Sequence, residues 1–220
     1  MRPFVFINMA SSLDGKISNE RREQVRISSP EDFQTVDMLR AGSDAVMVGI
    51  GTVLSDNPRL TVKSRELREM RVNKGLSPNP VRIVVDSRCR IPPDSEILND
   101  EAHTVVAVSE AAEKTRIEEI GKRAEVIVVG EKRVNLVELL RILYRKGVRR
   151  IMVEGGGELN YSLIKEGLVD EIRIFYSGVI IGGRNSPTPV EGEMFEIPVN
   201  AELKSFKALG NGVAVVWRLR

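Results

Sequence analysis

Short apolar runs rich in Val and Ile punctuate the chain at "FVFIN" (4–8), "DAVMVG" (44–49), "VRIVVD" (81–86), "TVVAVS" (104–109), "EVIVVG" (125–130), "RIMVEG" (150–155) and "EIRIFYSGVI" (171–180). Most are continuous rather than alternating, the pattern of strands covered on both faces. Helical patterns lie between several of them. Ser29, Pro30, Glu31 and Asp32 read as N-cap, first helical residue and acidic first turn, leading into an apolar face of Phe33, Val36 and Leu39. Asn135 opens a helix through "LVELLRILYRKG" that Gly147 ends, and Gly167 ends another through "GELNYSLIKEG". A further helix is predicted in "EAAEKTRIEEIGKR", whereas residues 64–80 read as a long excursion loop.

Strand alternating with helix predicts an α/β fold with three layers and a mostly parallel sheet. The end of the chain breaks the rhythm. "AELKSFKAL" and "GVAVVWRLR" alternate polar and apolar residues around Gly210, Asn211 and Gly212, which predicts an antiparallel hairpin closing one edge of the sheet. No repeat or low-complexity segment interrupts the 220 residues, so a single domain over 1–220 is expected.

Composition narrows the chemistry. A balance of 33 basic against 31 acidic residues advertises neither a nucleic-acid nor a membrane surface. No apolar run approaches the ~20 residues of a membrane span, and the first residues are too short a stretch for a secretory leader, which places the chain in the cytoplasm. Cys89 is the only cysteine and His103 the only histidine, so a Cys/His zinc cluster is excluded by counting and no metal is expected. With so few side-chain nucleophiles, the chemistry falls to carboxylates, hydroxyls, backbone amides or a bound cofactor.

Two glycine-bearing segments follow predicted strands, where ligands bind in open α/β sheets. The first is "GIGTVLSDNPRL" (49–60), dense in polar and permissive residues. The second is Gly155-Gly156-Gly157, which leads into a helix and would let a pyrophosphate reach its first amides; the alternative is a plain strand-to-helix turn. The third glycine of the usual dinucleotide fingerprint is replaced by Asn160. In "VVDSRCR", Asp86 would suit a ribose hydroxyl, and Ser87 with Arg88 or Arg90 a 2′-phosphate; a polar turn is the competing reading.

Four segments bind these features together: "NMASSLDGKI" (8–17), "LRAGSDAVMVGIGTVLSDNPRLTV" (39–62), "PVRIVVDSRCRIP" (80–92) and "IMVEGGGELNYSLIKEGLVDEI" (151–172), followed by "IIGG". In order and spacing they resemble the reductase family of riboflavin biosynthesis, most closely its stand-alone archaeal and fungal members, and also the reductase half of the bacterial bifunctional deaminase-reductases. The resemblance covers nearly the whole chain. It implies a dihydrofolate-reductase-like fold, a homodimer, and NADPH as cofactor, with NADH as a weaker substitute. The implied activity is reduction of diamino-ribosylamino-pyrimidinone 5′-phosphate to the ribitylamino product, by hydride transfer to C1′ of the sugar.

Carried onto this chain, the resemblance implies that Thr52 and Asp56 serve cofactor and substrate alike, and that Ser87, Arg88, Val129 and Gly155, Gly156, Gly157 and Glu158 serve the cofactor. Arg40 and Arg59 are implied in the same way to contact the substrate, with Lys63 as a weaker candidate, and Asn8, ending the first strand, and Glu154, just before the glycines, are expected to bind it too. Asp56 and Glu154 are the catalytic candidates. Asn8 stands where the bacterial bifunctional enzymes have a lysine. Two other readings remain: a different reductase on the same fold, and a nucleotide-binding protein without catalysis.

Overall fold

The computed structural model describes residues 1–23 and 25–220. The elements in chain order are β1 (Phe4–Ser11), α1 (Pro30–Ala41), β2 (Ala45–Gly49), α2 (Ile50–Asp56), α3 (Arg65–Asn73), β3 (Val81–Val85), β4 (Thr104–Val108), α4 (Lys114–Ile120), β5 (Glu125–Val128), α5 (Leu136–Arg145), β6 (Arg150–Val153), α6 (Gly157–Lys165), β7 (Glu171–Ser177), β8 (Ala201–Leu209) and β9 (Gly212–Leu219). They form two compact units, residues 1–3 with 37–152 and residues 4–36 with 153–220.

In the first unit the strand order is β5-β4-β3-β2-β6. β2 through β5 pair in parallel, Val48 opposite Val84, Val84 opposite Val106 and Val106 opposite Val126. The continuous apolar runs are buried as their pattern demands: Val46, Met47 and Val48, Ile83 and Val84, and Val105 to Val108 are closed to solvent. α5 contributes Leu136, Leu139, Leu140 and Leu143, all buried, at the i, i+3, i+4, i+7 spacing of one helical face. The Asn135 side chain accepts from the Glu138 amide at 2.9 Å, and Gly147 takes the predicted left-handed turn at φ 96°.

Buried cations and carboxylates hold the connections of this unit. Asp37, on α1, accepts from the amides of Lys63 at 2.6 Å and Ser64 at 2.7 Å. Arg71 donates to the carbonyls of Ala41, Ser43 and Ser77, each at 2.8 Å, and so closes the carboxyl end of α1. Arg82 is fully buried, and its five donors reach Thr104 Oγ1, Asn99 Oδ1 and the carbonyls of Arg59, Asn99 and Ala102. Burial pulls the Arg82 guanidinium down to about 10, against the opposing pull of Glu101 and Asp100.

In the second unit the order is β1-β7-β9-β8. β1 and β7 are parallel, and β7, β9 and β8 are successively antiparallel, with Leu209 opposite Gly212 across the predicted two-residue turn. Gly210 takes φ 54° there, as a tight hairpin requires. The carboxyl ends of β1 and β7 are joined through Asp14, which accepts from Ser12 Oγ at 2.6 Å and from the amides of Ile181 and Gly182 at 3.0 and 2.7 Å. These bonds, that from Ser12 foremost, lower the Asp14 carboxyl from 3.8 to about 2. Folded Asp14 therefore holds its proton more weakly than unfolded Asp14. Its stabilising contribution is complete above about pH 4 and is lost as pH falls from there through about 2. Asp14→Ala should release the Ile181 and Gly182 amides to fast hydrogen exchange at neutral pH; wild-type protection at both would show that the clamp lies elsewhere.

Three expectations change. Residues 65–73, read as loop, form α3, whose N-cap Ser64 accepts from the Leu67 amide at 3.2 Å. The helix carries no apolar stripe to announce it, because its one buried side chain is Arg71. Residues 50–56, also read as loop, wind into α2 because Ile50 and Val53, three apart, are buried together. Finally, α1 begins at Pro30 with Ser29 as cap, but its predicted apolar face is not its buried one: Phe33 is 49% exposed, while Asp32 and Asp37 are buried.

Candidate active site

Because β2 to β5 run in parallel, the segments that follow them leave the sheet at one edge. Thr52 and Asp56 lie four apart on α2, hence on one side of that helix, Thr52 half-buried and Asp56 exposed. Asp56 is the last helical residue, with Asn57 in the left-handed cap at φ 42°. A carboxylate there faces the negative pole of the helix, so its position does nothing for stability. Gly49, at φ −79° and ψ 156°, has a backbone any residue adopts, and Gly51 sits within the helix, so neither makes the tight turn their presence suggested.

The cations expected to serve the substrate differ in their surroundings. Arg40 extends from α1 and donates to the Thr61 carbonyl at 3.0 Å, next to the loop that Asp37 holds. Arg59 is 58% exposed but already paired, its Nε 2.9 Å from Glu96 and its Nη1 3.8 Å from Glu101. Any anion on Arg59 competes with two carboxylates. Lys63 is exposed in the loop stapled by Asp37.

The segment after β3 is built on Asp86. Its carboxylate is buried, accepts from the Ile91 amide at 2.8 Å and lies 3.8 Å from Arg90 Nε. Desolvation pushes its pKa up. Asp86 therefore shapes its own turn rather than reaching for a ribose, and Arg90 serves as its counter-ion. Ser87, half-buried, accepts from the Val134 amide at 3.0 Å through its hydroxyl, while its carbonyl accepts from Ser109 Oγ at 2.8 Å. Arg88 is exposed. Val129 is buried, with its amide on Val108 and its carbonyl accepting from Asn135, which leaves its side chain little ligand-facing surface.

In the second unit, Asn8 falls in the middle of β1, opposite Arg173 of β7, not at the strand end expected for it. Glu154 is half-buried just beyond β6. The peptide bond between Gly155 and Gly156 is cis, Gly155 has φ 109°, and a Cβ there would point into open space. Gly156 caps α6 with no side-chain hydrogen bond, so the first amides of that helix, those of Gly157 and Glu158 among them, have no capping side chain. Gly157 is small for a different reason: a Cβ would come within 2.6 Å of Glu191 Cγ and 2.8 Å of the Thr188 carbonyl. Asn160 takes the place of the fingerprint's third glycine because its Nδ2 holds the Pro189 carbonyl at 2.8 Å.

The chemistry of these donors fits a nicotinamide dinucleotide. Taken separately, the uncapped start of α6 in the second unit can receive a pyrophosphate, and the exposed cations beside Ser87 in the first unit can receive a phosphate monoester. In the segment after β5 the sequence pointed to Val129 but not to Lys132 and Arg133, which stand exposed next to Val134.

These features define an open α/β protein with anion-receptive loops at its strand ends. The chain belongs to the RibD C-terminal domain family, whose model matches residues 3–215. It is similar to the 2,5-diamino-6-ribosylamino-4(3H)-pyrimidinone 5′-phosphate reductase of Archaeoglobus fulgidus, 59% identical over 218 residues that cover 99% of each chain. The reductase of the same name from Methanothermobacter thermautotrophicus is 46% identical and matches over the full length of both. A pyrimidine reductase-like protein from Corynebacterium diphtheriae shares the fold with a TM-score of 0.87, covering 99% of this chain and 92% of that one at 18% identity. No helix among the described residues is long and apolar enough to cross a membrane.

Proposed function

We propose that this protein reduces 2,5-diamino-6-ribosylamino-4(3H)-pyrimidinone 5′-phosphate to its 6-ribitylamino form with NADPH. The observation that carries the reading is the 59% identity to a reductase of that name over essentially the whole of both chains. NADPH, when bound, would supply the hydride for C1′ of the ring-opened imine, and the chain's own groups would supply the proton for the attached nitrogen. The amides of Gly156, Gly157 and Glu158 bind the pyrophosphate, helped by the open approach over Gly155. Ser87 and Arg88 bind the 2′-phosphate. Thr52 orients the nicotinamide end. Arg40 binds the substrate phosphate, and Arg59 does so once it leaves Glu96. Asn8 and Glu154 hydrogen-bond the polar edge of the substrate, and Asp56 or Glu154 delivers the proton.

The reading also includes a homodimer built on the C-terminal hairpin. Among the described residues β8 pairs with β9 alone, and residues 201–208 are exposed without exception, with Phe206 71% and Leu203 46% open to solvent. A nine-residue edge strand bare on both faces invites pairing with another copy. Light scattering should return twice the chain mass, and Phe206→Glu should shift it toward the monomer; a wild-type monomer at working concentration rejects this part.

The activity itself is tested by anaerobic incubation of the purified protein with the ribosylamino substrate and NADPH. Loss of nicotinamide absorbance should accompany a product heavier by two hydrogens. Cofactor binding without turnover would leave a nucleotide-binding protein in place of the reductase.

A further inference from the structure

The loop after β5 is tied across the end of β4 to the turn after β3. The amides of Glu110 and Ala111 donate to the carbonyls of Gly130 and Glu131 at 2.8 and 3.0 Å, and the Val134 amide reaches Ser87 Oγ at 3.0 Å. The loop is also closed on itself. Asn135 donates to the Val129 carbonyl at 3.1 Å, and Gly130 sits at φ 90° with so little room that a Cβ would lie 2.3 Å from the Arg133 carbonyl and 2.7 Å from the Asn135 amide. A tight turn therefore presents Lys132 and Arg133, both exposed, on the same rim as Ser87 and Arg88. Among the described residues, none of Arg88, Lys132 and Arg133 forms an ion pair, whereas Arg90 is drawn to Asp86. The exposed carboxylates of Glu110 and Glu113 lie in the loop after β4, while the loop after β5 carries two cations, Lys132 and Arg133, against the single carboxylate of Glu131.

Resting on the cofactor reading above, we propose that Lys132 and Arg133 are specificity-determining residues that bind the 2′-phosphate of NADPH together with Ser87 and Arg88. A phosphate monoester carries up to two negative charges where NADH carries a neutral hydroxyl. The closed turn fixes the backbone that carries the two cations, and because NADH lacks the phosphate their contribution falls on NADPH alone. Arg88 by itself cannot neutralise a dianion; the β5 loop supplies the remaining charge.

The test measures dissociation constants for NADPH and NADH by fluorescence titration, and for adenosine 2′-monophosphate against adenosine 5′-monophosphate by calorimetry, none of which requires turnover. Replacing Lys132→Ala and Arg133→Ala together should weaken NADPH and the 2′-monophosphate by roughly tenfold or more while leaving NADH and the 5′-monophosphate within about twofold. The swap Lys132→Arg with Arg133→Lys should keep the preference. If the wild type prefers NADPH and the double Ala variant keeps that preference in full, the inference falls and the cofactor reading stands. If the wild type shows no preference, both fall together. Equal losses for NADPH and NADH would also overturn the inference, by placing these cations on a part shared by the two cofactors.

Discussion

Replacing Asp56 by Asn should lower kcat by roughly 100-fold or more, the scale of a lost proton-handling or charge-orienting group, and leave the melting temperature unchanged. The second half of that expectation comes from the structure. Asp56 is exposed at the carboxyl end of α2, where the helix dipole disfavours a carboxylate, and the cap bond there runs from the Asn57 amide to the Val53 carbonyl. Its charge gives the fold nothing, so asparagine preserves shape and stability. A group that handles the proton should also take with it one limb of the pH dependence of kcat/KM. Steady-state rates across pH, alongside thermal melts of both proteins, check all three points. Wild-type turnover in the variant would strike Asp56 from the site.

The largest loss of stability is expected at Arg82. Its guanidinium is fully buried, satisfied on all five donors, and bridges β3, β4 and the carbonyls of Arg59, Asn99 and Ala102. Arg82→Ala removes those bonds, leaves buried carbonyls without donors and opens a cavity. At about 1 kcal/mol net per bond, a loss of about 3 kcal/mol or more follows, which lowers the melting temperature by roughly 6–12 °C. Arg82→Met fills the volume but not the hydrogen bonds, so it should recover only part of the loss. Full recovery in the Met variant, measured by denaturant titration, would mean that packing rather than hydrogen bonding holds this hub. Because Arg82 also touches the Arg59 carbonyl, both variants should weaken substrate more than cofactor if Arg59 binds the substrate phosphate.

Legibility in the sequence followed how local each signal was. The strands of the first unit are runs of Val and Ile long enough to demand cover on both faces, and the caps at Ser29 and Asn135 bond within their own first turns. α2 and α3 were hidden because their anchors are tertiary: two apolar residues in a glycine-rich stretch, and one arginine whose partners are carbonyls from α1 and beyond. Asn8 was misplaced within its strand because β1 continues past it through Met9 and Ala10 to Ser11, held by its pairing with β7.

At the site, the chain by itself determined which residue types were present and in what order: the glycine triplet, the Ser87–Arg88 pair and the carboxylates at 56 and 154, all matching a family pattern over nearly the full length. The tertiary structure alone decided what each touches. It buried Asp86 with the exposed Arg90 3.8 Å away as its counter-ion, occupied Arg59 with Glu96 and Glu101, and divided the glycines into one whose Cβ would meet nothing and one that makes room for Glu191. It also carried Lys132 and Arg133 to the Ser87 rim through a hydrogen bond between residues 47 positions apart. The reason is the range of the forces involved. Burial and helix capping act between neighbours and leave a periodic mark, whereas ion pairs and loop closures choose partners by position in space, which no spacing along the chain records.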